Sequence, residues 1–409
     1  MDVSILSEMV SNSAALRRRQ RLQPVGGKGD KIFPPTYPGE GRNSAPRHVF
    51  ERRQIDGREA WCALVDSVQS QANRLEESLL GLIAEGEINI PHVVVDFDGC
   101  DLAGISKITS FDAPHRVYDA IFRDSLLDGK GFLDVSPLGK RLIEASNTDA
   151  SALLETSPTA LLFGCWNSTG QGGGLGARFA RCLVSEIMAV DVPVEEVADR
   201  RTGEVEAQTA GRRTGSRIDP LGVLRKVEVF KGPNGWDLSE SKAGKGAKKV
   251  RPSEINHGNI APTIQPLGIT CDYLEHVFVL SFAALRRLHF GSPEKDAAGR
   301  TLLAALGLLA LREQDARGYA LRSRCDLVCE GKSPLGQIHA DGTVAELDAF
   351  DARVLYMQAF EAAEKAGIEL RRAPIELKPQ EKLIAIVRRS QELALQGQGG
   401  DDSEADTTS

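Results

Sequence analysis

Aromatic side chains are scarce in this chain: 3 Trp, 5 Tyr and 14 Phe among 409 residues. No segment has the interleaved aromatics with which a ribonucleoprotein sheet stacks bases. Long apolar runs are missing too. The richest, Leu302–Leu311, is too short to span a bilayer and reads as a buried helix. No apolar segment precedes the first arginine cluster, so no secretory leader is expected. The seven cysteines are scattered and odd in number, which argues against a disulfide framework. The cytoplasm is therefore the expected compartment. There is no P-loop Lys-Ser/Thr signature, no recognisable Ser or Cys nucleophile and no internal repeat. Excess positive charge is also lacking: the net charge is −7. That balance argues against coating nucleic acid over the whole surface.

The charge that is present is unevenly distributed. Basic clusters lie at Arg17–Arg19 with Arg21, at Arg212–Arg213 with Arg217, and from Lys242 to Arg251. Acidic residues gather at Glu76–Glu87, at Glu195–Glu206 and in the tail. One basic groove on an acidic body accords with gripping a single strand. Ordinary solvated charge accounts for each cluster equally well.

The run Asp66-Ser67-Val68-Gln69-Ser70-Gln71-Ala72-Asn73-Arg74-Leu75-Glu76 opens a helix. Val68, Ala72, Leu75, Leu79, Leu82 and Ile83 recur at helical spacing and form one buried stripe. Asp66 or Ser67 is a good N-cap, and Asp66 with Gln69 resembles a capping box. Free N–H groups and the dipole at this end favour an anion. Ser67, Gln69, Ser70 and Asn73 would add neutral hydrogen bonds to phosphate oxygens, and Arg74 would add charge. A well-capped surface helix explains the same residues.

Further along, strands are expected at Leu16–Leu22, Val93–Phe97, Ala160–Trp166, Arg181–Val190, Tyr273–Leu285 and Tyr319–Cys329. Helices are expected within 114–146 and at Ala297–Ala316, Asp351–Ala366 and Gln380–Leu395. Residues 191–257 have little periodicity beyond a strand pair near Leu224–Phe230. The spacing is too irregular for a doubly wound sheet, and an α+β core with large insertions fits better. The tail, residues 396–409, is polar and acidic and is expected to be disordered.

Several stretches together resemble the RAMP-superfamily backbone subunit of a CRISPR Cascade effector complex of Type I-G, formerly I-U. They are Leu22-Gln23-Pro24, Phe33-Pro34-Pro35-Thr36-Tyr37, Leu64 to Arg74, Trp166-Asn167-Ser168-Thr169-Gly170 and Pro252 to Asn259. The resemblance implies an RRM-like (ferredoxin-like) palm within residues 1–330, with a finger insertion near 97–158 and a thumb near 191–257. A C-terminal helical extension, 331–395, would follow. It also implies a non-catalytic scaffold that binds CRISPR guide RNA and presents it to a target DNA strand. Further implied partners are neighbouring copies arranged head to tail, a Cascade large subunit and a guide-processing, end-binding subunit. Such subunits grip the guide with loops and the first helix, so few aromatics are needed. The implied RNA-binding residues are Ser67, Gln69, Ser70, Asn73 and Arg74. Arg17, Arg19, Arg21, Trp166, Asn167, Lys249, Arg251, Ser253 and His257 are further candidates.

Three other constellations in the chain have chemical potential. Gly170–Ala177 contains a G-x-G-x-x-A match, but a strand rather than a helix is expected next and no suitably placed acid follows, so no dinucleotide cofactor is expected. Asp96, Asp98 and Asp101 cluster at a strand end and could hold Mg²⁺ for a metal-dependent ribonuclease, or simply form a polar turn. Cys325, Cys329 and His339 lack a fourth zinc ligand, and the two thiols read as a buried pair on one strand face.

Overall fold

The structure, a computed structural model, describes residues 1–38, 46–168, 176–198, 203, 205–217, 227–255, 257 and 260–397. Gly170–Leu175, Leu224, Asn256, Asn259 and residues 398–409 of the tail lie outside them.

The fold is α+β, built on one antiparallel sheet. Its strands are β1 (Ala15–Pro24), β2 (Phe50–Ile55), β3 (Arg58–Asp66), β5 (Leu183–Val190), β6 (Tyr273–Ser281), β7 (Tyr319–Arg322) and β8 (Cys325–Cys329), with β4 (Val93–Asp96) reserved for a second sheet. The order across the main sheet is β7-β8-β1-β6-β5-β3-β2, and every neighbouring pair is antiparallel. A short hairpin, Gly336–Ile338 with Val344–Glu346, also pairs with β1. Helix α2 (Val68–Ala84) lies between β3 and β5 in the chain, and α3 (Pro293–Arg317) between β6 and β7. The two helices pack against each other, and α3 also packs against α1 (Val3–Asn12) and α4 (Ala352–Lys365). Leu302 to Leu311 is buried at every position, as expected for a helix covered on all sides.

Strand pleating decides which face each residue of β1 presents. Leu16, Arg18, Gln20 and Leu22 are buried, whereas Arg17, Arg19 and Arg21 point outward. The polar residues among the buried set need partners. Arg18 pairs with Asp315 of α3, and its Nη2 also reaches Tyr319 Oη and His276 Nδ1, at 3.3 Å each. His276 is fully buried, with Nε2 2.6 Å from Ser185 Oγ. Burial, reinforced by Arg18, pushes its pKa down to about 3. The neutral ring satisfies both sides, with Nε2–H donating to Ser185 and Nδ1 accepting from Arg18. Gln71 extends this polar layer, accepting from Ser185 Oγ and Gln314 Nε2 and donating to Asp66.

A second sheet joins distant parts of the chain. β4 pairs in parallel with β9 (Ile375–Pro379), which pairs on its other side with Ser125–Leu127. The segment after residue 330 thus contributes strands as well as α4 and α5 (Glu381–Gly397). Beyond β5, paired strands run at Val194–Ala198 with Val205–Thr209 and at Arg213–Arg217 with Ile260–Gln265. A three-stranded sheet (Val229–Gly232, Gly235–Asp237, Lys248–Val250) lies between them in sequence.

Some elements differ from expectation. Pro158–Phe163 is a fully buried helix, not a strand. Its short apolar run carries no period, and Pro158 at the first turn is compatible with a helix. Residues 1–58, whose Arg-, Gly- and Pro-rich composition leads one to expect a single strand near Leu16–Leu22 followed by a long loop, also hold α1 and β2. Asp2 caps α1 by accepting from Ser4 and Ile5 N–H.

Candidate nucleic-acid interface

Where α2 begins, the chain encloses an open cleft of about 670 Å³. Gln69, exposed in the first turn of α2, lines it. So do Trp166 and three exposed arginines, Arg178, Arg181 and Arg287. A two-residue antiparallel pair, Cys165–Trp166 with Arg178–Phe179, places Arg178 opposite Trp166. The guanidinium carbon of Arg178 lies 5.3 Å from a Trp166 ring centroid, a cation–π contact. Among the described residues none of the three arginines has a carboxylate partner. Partial burial and repulsion from Arg116 push the pKa of Arg181 below the usual arginine range. An anion in the cleft would relieve that repulsion.

The wall behind the cleft is rigidly fixed. Arg116 makes two 2.7 Å hydrogen bonds to buried Glu76 of α2, and its Nη1 donates to Gly164 O at 2.9 Å. Burial pushes the Glu76 carboxyl up to about 7 despite Arg116. Gly164 has φ +82°, and a Cβ there would sit 3.0 Å from Arg181 Cγ and 3.1 Å from Phe179 O. Glycine is therefore needed where this wall turns.

The expected RNA-binding residues are distributed over several places. Ser67 is the N-cap of α2, accepting from Ser70 N–H at 3.2 Å. Fully buried Asp66 accepts from Ser70 Oγ (2.8 Å), Gln71 Nε2 (2.7 Å), Arg74 Nε (2.9 Å) and Arg322 Nη2 (2.9 Å). Arg74 Nη2 also donates to Leu321 O at 2.6 Å. Ser70 and Arg74 thus have internal partners, while Gln69 and Asn73 are exposed. Asn167 is buried, and its backbone N–H donates to Ala177 O. Arg17, Arg19 and Arg21 share the outward face of β1: Arg19 is bonded twice to Glu275, and Arg21 lies over Tyr273 at 4.1 Å. Lys249 pairs with Glu228, and the Arg251 N–H donates to Glu254. Ser253 is half-buried, and His257 meets Trp236. Of all these, only Gln69 and Trp166 line the cleft. Arg178, Arg181 and Arg287 carry no local motif; pairing across residues 167–177 brings the first beside Trp166.

The alternative sites have little to hold a metal. Asp96 accepts from Lys378 Nζ at 2.6 Å and from Asp98 N–H at 2.9 Å, and Asp101 occupies a left-handed turn at φ +54°. Among the described residues no group of three His, Cys, Asp or Glu is arranged for a metal ion. The thiol pair is corrected as well: Cys325 is buried but Cys329 is exposed, because β8 ends there. After the Gly-rich loop come the strands Arg178–Phe179 and β5 rather than the helix a dinucleotide loop needs.

Residues 16–194 match the family model described as CRISPR-associated protein GSU0053 (Cas_GSU0053). The match, to a CRISPR-associated family, covers less than half of the chain, and it supports a role in CRISPR defence. It spans α2, Trp166, Arg178 and Arg181; Arg287 lies beyond it. Comparison with curated proteins gives no match. No helix among the described residues is long and apolar enough to cross a membrane.

Proposed function

We propose that this CRISPR-associated protein is a guide-RNA-binding backbone subunit of a Type I-G Cascade complex, acting in the cytoplasm. The observation that carries the reading is the cleft: three arginines without acidic partners among the described residues, one of them over the Trp166 ring, with Gln69 exposed in the first turn of α2. On an acidic chain, such a site attracts a polyanion locally rather than over the whole surface. Arginine and amide contacts to phosphates position a strand without reading its sequence. The bases would stay free to pair with target DNA, which delegates specificity to the guide.

The sheet supports an RRM-like, RAMP-type palm. Strands β8-β1-β6-β5 follow the 4-1-3-2 order of a βαββαβ unit, with α2 and α3 as its helices and β2–β3 inserted before the first helix. We assign no catalysis to it: Asp96 is neutralised by Lys378 rather than gathered with other ligands. Copies would associate head to tail along the guide, an interface that does not close on itself. A large subunit and a guide-processing, end-binding subunit would complete the particle.

The test is co-expression with a CRISPR array and the neighbouring subunits, followed by purification and sequencing of bound RNA. Discrete guide-length RNA carrying repeat sequence, in a particle with several copies of this chain, is the expected result. RNA-free monomer would overturn the reading.

A further inference from the structure

A second surface in the chain carries the chemistry of base stacking. Val229–Gly232 pairs with Gly235–Asp237 on one side and Lys248–Val250 on the other. In this register Lys231 lies directly opposite Trp236 and also directly opposite Lys248. Directly paired residues in antiparallel strands share a face, with Cβ atoms about 5 Å apart. Trp236, Lys231 and Lys248 therefore form one row across one face. Phe230, Asp237 and Lys249 form the other row. The hairpin is tightly set: a Cβ on Gly232 would meet Ala243 O at 2.4 Å, and Gly235 takes φ +90°.

Two independent features mark the Trp236 row as unfilled. Trp61 lies under Arg52 and Trp166 under Arg178, but among the described residues no cation covers Trp236. Its side chain is 52% exposed. The His257 ring meets it at 5.5 Å and 70°, bracing the indole without lying flat on it. Secondly, Lys249 on the opposite face is neutralised by Glu228, whereas Lys231 and Lys248 have no carboxylate partner among the described residues. Because Val229–Gly232 is the central strand, the row runs Trp236–Lys231–Lys248. A large exposed aromatic at the end of two unpaired cations suits a ligand with one flat apolar face followed by a line of negative charge.

We propose that this row is a stacking site for one unpaired base of a single nucleic-acid strand. The base lies on the Trp236 indole, and Lys231 and Lys248 hold the adjoining phosphates. Every base has a π-face, so the site tolerates any sequence but requires an unpaired strand. None of its residues lines the arginine cleft. The strand is guide RNA or a DNA strand freed during targeting, two sources with the same chemistry.

The experiment uses the full chain with uridine-only RNA and thymidine-only DNA, each with one central 2-aminopurine, and a duplex of equal length. Binding is expected to quench 2-aminopurine in the single strands, and the strand with the larger Trp236-dependent quench identifies the source. Trp236→Ala is expected to abolish the quench and weaken binding about 5- to 150-fold, the range for loss of one base–aromatic stack. Trp236→Phe should restore part of both. Lys231→Ala and Lys248→Ala should each flatten the salt dependence by about 0.7 while retaining quench. Exposure of Trp236 leaves the fold of these variants intact, which thermal melting checks. A folded Trp236→Ala chain with unchanged affinity and quench overturns the proposal, as does equal Trp236 dependence for duplex. A variant lacking Arg178, Arg181 and Arg287 that still shows Trp236-dependent quench separates this site from the cleft.

Discussion

Replacing Arg178, Arg181 and Arg287 together by Ala tests the cleft through a quantity that misfolding cannot imitate. A cation that neutralises a phosphate of a single strand releases counterions, so log K falls with log salt by about 0.7 per phosphate. None of these arginines is neutralised by a described carboxylate, so each has a full charge to give. If each meets one phosphate, the three account for about 2 of the slope. Raising salt from about 50 to 200 mM then costs the wild type about 20-fold more affinity than it costs the triple variant. Exposed side chains contribute little to stability, so the variant should melt with the wild type. The assay is filter binding of guide-length RNA across that salt range. Arg19→Ala is the control, because Arg19 is already bonded twice to Glu275. Parallel lines for the triple variant and the wild type would refute the assignment. So would an Arg19→Ala slope loss as large per residue as that of the cleft.

Two further predictions concern stability. His276 is held neutral in the folded chain down to about pH 3, against an ordinary value of 6.5. Its contribution is therefore complete above pH 6.5 and lost as pH falls toward 3, about 2 kcal/mol of it by pH 5. Glu76, pushed up to about 7, acts in the opposite direction as pH falls through 7, so wild type is compared with His276→Gln, in which Glu76 is unchanged. Urea midpoints at pH 7 and pH 5 should show a smaller acid loss in the variant; equal losses would contradict the assignment. Arg74→Ala should cost about 1–3 kcal/mol, since it removes a charged partner from buried Asp66, whereas Gln69→Ala should fall within about 0.5 kcal/mol of wild type. An Arg74→Ala midpoint equal to wild type would show that Arg322 alone suffices for Asp66.

Much of the scaffold was legible because it rests on local periodicity. β1, β5, β6, α2, α3, α4 and α5 fall close to where apolar spacing places them, since each has one stripe or one face to bury. The hairpin β2–β3 was not, because its outer strand, Phe50-Glu51-Arg52-Arg53-Gln54-Ile55, is a charged sheet edge. The second sheet was also hidden, since β9 pairs with residues about 280 positions earlier. Long-range pairing leaves no trace in a local window.

Site residues obey a different logic, and charge density in the sequence pointed to several arginines that folding pairs internally. The Arg17–Arg19 cluster divides between two faces: Arg18 goes inward to Asp315 and Arg19 is held by Glu275. Arg74, in the most suggestive motif of the chain, is drawn down onto Asp66. Arg212 and Lys249 are paired with Glu195 and Glu228. In a chain of net charge −7, a cluster of cations has acids to meet, and folding pairs several of them, Arg18, Arg19, Arg212 and Lys249. Among the cations without a described carboxylate partner are Arg178, Arg181 and Arg287, single residues with no local pattern that share one cleft. What distinguishes them is that they lack described acidic partners and line one cleft together, and that is a property of the pairing of the whole chain. A polyanion site on an acidic protein is accordingly sought where cations that folding does not neutralise gather, and here three of them line one cleft beside Gln69 and Trp166.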